Sequence, residues 1–145
     1  MRPVELSVVI NRPIEACFAY LSDLGNDLAW RREWIEAEKT TAGPHGVGAR
    51  YRLTGALLGR RIATVYETIA YEPTRLAAWK AVSGPLPLSF TRTFESVEGG
   101  TRVTMRYEGD SGLLRLGGPF VAAIGRRQLE GDFPKLKQAM ESVAS

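Results

Sequence analysis

The sequence predicts one α+β domain in which a curved antiparallel sheet of seven strands closes around a long C-terminal helix. Strand-type alternation runs through the middle of the 145-residue chain, a short helical stretch follows the first strand, and apolar residues recur at helical spacing near the C-terminus. The helical patterns lie outside the run of strands instead of alternating with them, which is typical of α+β domains. A hydrophobic content of 44% with 24% charge fits a globular protein.

The first strand is predicted over Val4–Ile10, where β-branched and apolar residues are concentrated. Asn11 then offers a helix N-cap and Pro13 suits a first helical turn, so a short helix is predicted to run to about Asp23. Residues 25–27 break it, and a second short helix is predicted around residues 28–30.

A six-strand meander follows, with alternating apolar and polar positions separated by glycine- and proline-containing turns. The predicted strands cover residues 34–41, 47–55, 60–71, 75–83, 88–97 and 101–107.

The closing helix is predicted over residues 119–143, because apolar residues form one side of that segment. Pro134 removes one backbone hydrogen bond inside it, so we expect a kink near Gly131 or two helical pieces.

Composition excludes several function classes. With one cysteine, Cys17, and one histidine, His45, the chain can form neither an internal disulfide nor a His/Cys zinc site. No glycine-rich phosphate loop is present, so no cofactor is expected. No apolar run reaches the length of a membrane span, and the N-terminus lacks a signal-type apolar region, which predicts a cytoplasmic protein.

The net charge is +3, but the basic residues do not cluster into a stripe along the sequence. Its arginine pairs are scattered and flanked by apolar or acidic residues, which favours solvated faces over nucleic-acid binding. These pairs are Arg31-Arg32, Arg60-Arg61 and Arg126-Arg127.

Several segments together resemble a known family. The chain is similar to the polyketide cyclase/dehydrase-like branch of the START/Bet v 1-like (SRPBCC) superfamily, whose members share the helix-grip fold. The segments that carry the likeness are residues 10–23 (INRPIEACFAYLSD), Trp30, residues 43–48 (GPHGVG), 71–73 (YEP), 99–104 (GGTRVT) and 136–141 (LKQAME). The resemblance covers nearly the whole chain and implies a single domain over residues 1–145, with a ligand cavity between sheet and closing helix. The family spans lipid carriers, hormone receptors, cyclases and cochaperones, and none of the matched motifs is catalytic.

Alternation then selects the residues expected to face such a cavity, with Trp30 near its entrance and two residues approaching from the closing helix. The candidates are Trp30, Tyr51, Leu53, Tyr66, Trp79, Phe90, Arg92, Met105, Tyr107, Phe120 and Ile124. Plain core filling is the alternative for each aromatic residue, although a buried phenol needs a hydrogen-bond partner that a ligand can supply.

Arg92 falls between Phe90 and Phe94 on an otherwise apolar face, where an unpaired guanidinium is costly. Three interpretations follow. The side chain pairs with a buried acid such as Glu67 or Glu108, binds an anionic ligand head, or is turned outward by a bulge.

The leading hypothesis is therefore a domain that binds a small hydrophobic or amphipathic molecule, with a carboxylate or carbonyl end near Arg92. The alternative is an enzyme acting on an aromatic or polyketide-type ketone. His45 stands alone in a loop and forms no triad, so such an enzyme would act through Arg92, Tyr107 and Tyr51. A cochaperone-like partner module is the second alternative. Leu57 and Leu58, at a predicted hairpin tip, suit a homodimer contact, a guard of the pocket mouth, or merely an apolar loop.

Overall fold

A computed structural model describes residues 3–57, 59–85, 88–109 and 118–142, with side chains for all of these except residues 57 and 118–122. Seven strands, two α-helices and one 3-10 helix follow one another within these described ranges. In order they are β1 Val4–Ile10, α1 Ile14–Leu21, the 3-10 helix Leu24–Ala29, β2 Trp34–Lys39, β3 Arg50–Leu57, β4 Arg60–Glu72, β5 Leu76–Ser83, β6 Leu88–Val97, β7 Gly100–Gly109 and α2 Gly118–Glu141.

The strands form one antiparallel sheet in the order β1-β7-β6-β5-β4-β3-β2. The meander from β2 to β7 pairs each strand with its neighbour in sequence, and β1 closes the arrangement by pairing with β7, Val8 opposite Val103. The predicted seven-stranded curved sheet with a C-terminal helix is therefore confirmed.

The two faces of the sheet differ as the alternation predicts. On β7, Val103 and Met105 are fully buried while Arg102 and Arg106 are exposed. The outer face carries cross-strand ion pairs between exposed side chains, such as Arg52 with Glu38 and Arg61 with Glu36. The inner face supplies the core.

The start of α1 differs from the prediction. Pro13, not Asn11, occupies the N-cap position, and none of the described side chains caps the helix. The backbone N–H of Asn11 instead donates to Glu141 Oε2 at 2.9 Å, and Arg12 Nη1 donates to the carbonyl of Met140 at 2.9 Å. These contacts fasten the end of α2 to the turn between β1 and α1.

The second short helix lies earlier than predicted and is of the 3-10 type. Asp23 caps it by accepting a hydrogen bond from the N–H of Gly25 at 2.9 Å, so the helix includes residues 25–27, which the sequence indicated as a break. A tight 3-10 turn accommodates the sequence Gly25-Asn26-Asp27 because it needs only short runs of hydrogen bonds.

The closing helix is continuous through Pro134, so the prediction of two helical pieces was wrong. Pro134 is exposed, and so is Glu130, whose carbonyl has no N–H donor at Pro134. Leu129 and Leu136 are buried on the opposite side and hold the helix against the sheet. Within the described ranges no helix has both the length and the apolar character needed to cross a membrane.

Candidate functional site

Four aromatic side chains form a continuous row across the inner face of the sheet. Trp79 of β5, Phe90 of β6 and Tyr107 of β7 are register neighbours, with ring centroids 5.0 Å and 5.3 Å apart. Tyr66 of β4 meets Phe90 edge to face at 5.2 Å. We call these four residues the inner aromatic row. Tyr107 is half-buried and forms its open end.

Arg92 lies beside this row, completely buried, and is paired with Asp27 of the 3-10 helix. The guanidinium binds the carboxylate through two hydrogen bonds, of 3.0 Å and 2.5 Å, and donates a third, of 2.9 Å, to the carbonyl of Leu21. Burial disfavours the charge, but the attraction and hydrogen bonds of Asp27 raise the pKa of Arg92 above its usual value. The group is therefore a fixed cation.

This geometry decides between the three interpretations of Arg92. A buried acid does pair with it, but the acid is neither Glu67 nor Glu108. Those two carboxylates bind Arg50 and Arg106 among partly exposed side chains.

Three buried donors around Arg92 have no hydrogen-bond partner among the described residues. They are Arg92 Nε, Trp30 Nε1 and Trp79 Nε1, which we call the donor cluster. The guanidinium carbon lies 5.5 Å from the Trp79 ring centroid and 5.6 Å from that of Trp30, so the three groups are neighbours. The indole faces stabilise the cation but accept none of these N–H bonds. Each unsatisfied donor costs about 1–3 kcal/mol.

Trp30 was predicted near the pocket entrance, and the structure corrects this. Its side chain is fully buried, and the guanidinium carbons of Arg31 and Arg92 each lie 5.6 Å from its ring centroid. The end of the 3-10 helix exposes Leu28 and Ala29, and the chain then turns Trp30 inward.

A second buried ion pair links α2 to the open end of the row. Arg31 Nε binds Asp132 Oδ2 at 3.1 Å, and Arg31 Nη1 donates to the hydroxyl of Tyr107 at 3.1 Å. Arg32 Nε binds the other oxygen of Asp132 at 2.8 Å. Arg31 is 7% exposed, so the prediction that this arginine pair is a solvated face was wrong for Arg31.

A shallow cleft of about 290 Å³ opens on the outer side of that ion pair, lined by Arg32, Glu33, Ala56, Gln128 and Asp132. Another surface cleft, of about 420 Å³, lies at the start of α1 beside Arg12. Neither cleft is lined by the inner aromatic row.

The remaining predicted site residues are distributed as follows. Tyr51, Leu53 and Met105 are buried on the inner face, and Ile124 is half-buried on α2. The side chain of Phe120 lies outside the described residues, as do the Leu57 side chain and residue 58 at the predicted hairpin tip.

The sequence interpretation of His45 as an isolated loop residue was wrong. His45 Nδ1 is hydrogen-bonded to the hydroxyl of Tyr51, and its Nε2 lies 3.5 Å from Asp23 Oδ2. Burial, and then the nearby charge of Asp23, raise the pKa of Tyr51 above its usual value. Burial, with Tyr107 next in importance, does the same for the pKa of Tyr66.

Sequence reasoning missed Asp27, Arg31 and Asp132. Asp132 left a usable signal, since it follows Leu129 by three residues and precedes Leu136 by four, which places it on the apolar side of the helix. Asp27 lies in a 3-10 helix, where that spacing gives no such signal.

Comparison with known proteins gives a family match. Residues 1–141 match the model of the family described as polyketide cyclase / dehydrase and lipid transport. No curated protein sequence matches the chain.

Solved structures match over the whole length. TTHA0849 from Thermus thermophilus has a TM-score of 0.81 at 18% identity, covering 99% of this chain and 100% of its own. The Zhui aromatase/cyclase from Streptomyces sp. R1128 has a TM-score of 0.77 at 15% identity, covering 99% and 96%. Ara h 8.0201 has a TM-score of 0.71 at 17% identity, covering 97% and 98%. Identities this low show the fold alone, and the helix-grip, Bet v 1-like fold is confirmed.

Proposed function

Because the chain belongs to the polyketide cyclase/dehydrase and lipid transport family, we propose that it binds a small hydrophobic or amphipathic molecule between the sheet and α2. The inner aromatic row supplies an apolar surface in a concave sheet, and ligand sites are typically apolar surfaces with a few fixed polar groups. Those polar groups are present in the donor cluster and at the hydroxyl of Tyr107.

The donor cluster is the observation that carries this proposal. Arg92, Trp30 and Trp79 are neighbours in the interior, and each has a buried N–H without an acceptor among the described residues, where ordinary buried donors are paired. A ligand with an oxygen acceptor satisfies donors that a purely hydrocarbon ligand leaves unpaired. The ligand is therefore oxygenated.

The charges around the donor cluster favour an uncharged acceptor. Three cations face three anions in the buried network and its rim, so no positive charge is left for a carboxylate to neutralise. The six are Arg31, Arg32 and Arg92 against Asp27, Glu33 and Asp132. A carbonyl or hydroxyl oxygen accepts hydrogen bonds at a lower desolvation cost than a carboxylate. Of the two ligand ends predicted from the sequence, we favour the carbonyl.

The cleft outside Arg31 and Asp132 is the proposed entrance. Asp132 lines the cleft and binds Arg31, which in turn donates to the hydroxyl of Tyr107 at the open end of the inner aromatic row. Opening this pair connects solvent to the row without disturbing the sheet.

Two matched comparisons test the proposal. Native mass spectrometry of freshly purified protein should reveal a bound small molecule. In thermal melts, 2-acetylnaphthalene should raise the melting temperature more than 2-naphthoate, the carboxylate of similar shape.

Trp79→Phe should reduce the rise in melting temperature that 2-acetylnaphthalene causes. Trp34→Phe should not, because Trp34 lies on β2 outside the row, although its buried indole N–H also lacks a partner in the part of the chain that the structure describes. The bare chain mass together with no thermal shift from either compound would overturn the proposal.

A catalytic role is the second candidate, and two phenols on the inner face favour it. The hydroxyl of Tyr107 is hydrogen-bonded to Arg31 and that of Tyr51 to His45. Both hydroxyls are therefore held in place by groups that can polarise them. The substrate would be an aromatic or polyketide-type ketone that contacts Tyr107, Tyr51 and the donor cluster at Arg92. Conversion of such a ketone, lost in Tyr107→Phe while binding persists, supports this role. Binding without conversion across a ketone panel rejects it.

A further inference from the structure

Three side chains from separate parts of the chain connect the interior to solvent. Asp23 precedes the 3-10 helix, His45 lies in the β2–β3 loop, and Tyr51 belongs to β3. The imidazole contacts the Tyr51 hydroxyl through Nδ1 and approaches the Asp23 carboxylate through Nε2, at 3.5 Å. Both ring nitrogens of the chain's single histidine are thus engaged, one toward the core and one toward the surface.

One of the three groups is buried and the other two reach the surface. Tyr51 is completely buried, whereas the side chains of His45 and Asp23 are 37% and 30% exposed. The His45 and Tyr51 rings are nearly parallel, 3° apart, with centroids 5.8 Å apart, which fits a hydrogen bond in a shared plane. A proton can therefore pass between the phenol and water through one imidazole.

The surrounding hydrogen bonds hold this geometry. Asp23 Oδ1 accepts from the N–H of Gly25 at 2.9 Å, which leaves Oδ2 for His45. The loop that carries His45 is fastened on both sides, by Lys39 Nζ to the carbonyl of Gly43 at 2.6 Å and by the N–H of Gly48 to the carbonyl of Thr68 at 2.9 Å. The imidazole is held at a fixed place and does not swing on a free loop.

Tyr51 also belongs to the inner face. It is the register partner of Tyr66, a member of the inner aromatic row. A phenol at this place faces the same side of the sheet as the proposed ligand, while its hydroxyl keeps a route to water.

We propose that Asp23, His45 and Tyr51 form a proton relay, in which Tyr51 exchanges a proton with an enol or phenol oxygen of the bound molecule. This last step rests on the proposed function; the relay itself does not. In one direction Tyr51 Oη gives its proton to the ligand oxyanion, His45 Nδ1 reprotonates Tyr51, and hydronium reprotonates His45 at Nε2 beside Asp23. The net change converts an oxyanion and hydronium into a hydroxyl group and water, and converts His45 from its Nδ1–H tautomer into its Nε2–H tautomer; passage of a proton in the opposite direction restores the first tautomer. His45 and Asp23 are positioning residues in this scheme.

The relay is tested on the ligand-free protein by the exchange of tyrosine hydroxyl hydrogens. NMR of ¹³Cζ-labelled tyrosine in equal volumes of H₂O and D₂O reports this exchange residue by residue. Tyr66 is a matched control, since it is 3% exposed and the only histidine is bonded to Tyr51. We expect the Tyr51 hydroxyl to exchange faster than that of Tyr66.

Replacing His45 separates a relay from a structural link. In His45→Phe, exchange at Tyr51 should slow roughly a hundredfold, the low end of what a positioned acid–base group contributes, while Tyr66 is unchanged. Loss of a merely structural hydrogen bond would free the hydroxyl and leave exchange unchanged or faster, which would overturn the relay. If His45→Phe unfolds the protein, Asp23→Asn, which keeps His45, is measured instead. Hydroxyl exchange at Tyr51 should also slow in this variant, and unchanged exchange would overturn the relay. This measurement uses no ligand, so a failure of the relay can be distinguished from a failure of the proposed ligand binding.

Discussion

Arg92 is a fixed, buried cation that keeps one donor free of its ion pair. Its two terminal nitrogens are committed to Asp27 and Leu21, which fixes the side chain, while its Nε has no acceptor among the described residues. The planar fork of arginine permits this division because its donors point in different directions. A lysine at the same place could hold Asp27 but would offer no fixed additional donor.

The Arg92–Asp27 pair gives the first prediction. Arg92→Met leaves the Asp27 carboxylate buried without its partner, so it should lower the free energy of unfolding by about 3–5 kcal/mol. The double variant Arg92→Met/Asp27→Leu should recover much of that loss, because no buried charge remains. Urea unfolding of the two variants and the wild type measures both effects.

A control pair on the outer face sharpens this prediction. Arg102 and Glu95 form an exposed ion pair with a nitrogen–oxygen distance of 2.7 Å, and Arg102→Met should cost less than about 1 kcal/mol. Equal losses at Arg92 and Arg102, or no recovery in the double variant, would contradict the assigned role of Asp27.

The buried phenols Tyr51 and Tyr66 give the second prediction, at alkaline pH. The pKa of each is raised in the folded protein, mainly by burial. Both stay protonated when unfolded tyrosine, with a pKa of about 10, has ionised. Their contribution to the free energy of unfolding is therefore complete below about pH 10. Above that pH it should fall by about 1.4 kcal/mol per pH unit for each tyrosine.

Urea unfolding between about pH 9 and pH 12, a range that brackets the ordinary tyrosine pKa, measures this loss. Tyr66→Phe and Tyr51→Phe should each make the decline less steep. A decline that both substitutions leave unchanged would show that other groups cause it.

Single residues also mark the limit of prediction from sequence. Alternation along β6 correctly placed Arg92 on the inner face, because side-chain direction in a strand follows position. Its partner could not be found in the same way, since Asp27 is 65 residues away and is brought close only by the closure of the sheet over the 3-10 helix. The contact of His45 with Tyr51 likewise depends on the course of a loop, which periodicity does not describe.

At the scale of elements, the strands were predictable and the helix ends were not. Two-residue periodicity gave the strands from β1 to β7 to within a few residues, because one side of the sheet is buried along its length. The 3-10 helix and the uncapped start of α1 follow instead from tertiary contacts, such as the Asn11–Glu141 hydrogen bond. Two helical pieces were expected at Pro134, but α2 runs through this residue as one helix, with Leu129 and Leu136 buried on either side of it in sequence.

Two glycines of α2 give the third prediction. A methyl group on Gly125 would meet no atom within 4 Å, whereas one on Gly131 would lie 2.6 Å from Arg32 Nη2. Gly125→Ala should therefore stabilise the protein by up to about 1 kcal/mol through helix propensity. Gly131→Ala should gain less, because it moves Arg32 away from Asp132. Thermal or urea unfolding compares them, and equal gains would show that the Arg32 contact contributes nothing.

At the scale of the whole molecule, the interior combines a stable core with groups that remain unsatisfied. Val103, Met105, Leu129 and Leu136 are closely buried around the sheet and α2, as in any small domain. The donor cluster, in contrast, holds polar groups that lower stability until an acceptor is present. Local conflict of this kind is expected at functional sites. This conflict is the reason for proposing an oxygenated ligand.

The indole N–H resonances test this claim most directly. The chain has three tryptophans, so a ¹H–¹⁵N spectrum contains three indole signals, assigned by single Trp→Phe variants. On titration with 2-acetylnaphthalene, the Trp79 and Trp30 signals should move downfield as their donors bind the carbonyl, while the Trp34 signal stays in place. Three unmoved signals, or equal shifts at all three, would contradict a carbonyl held at the donor cluster.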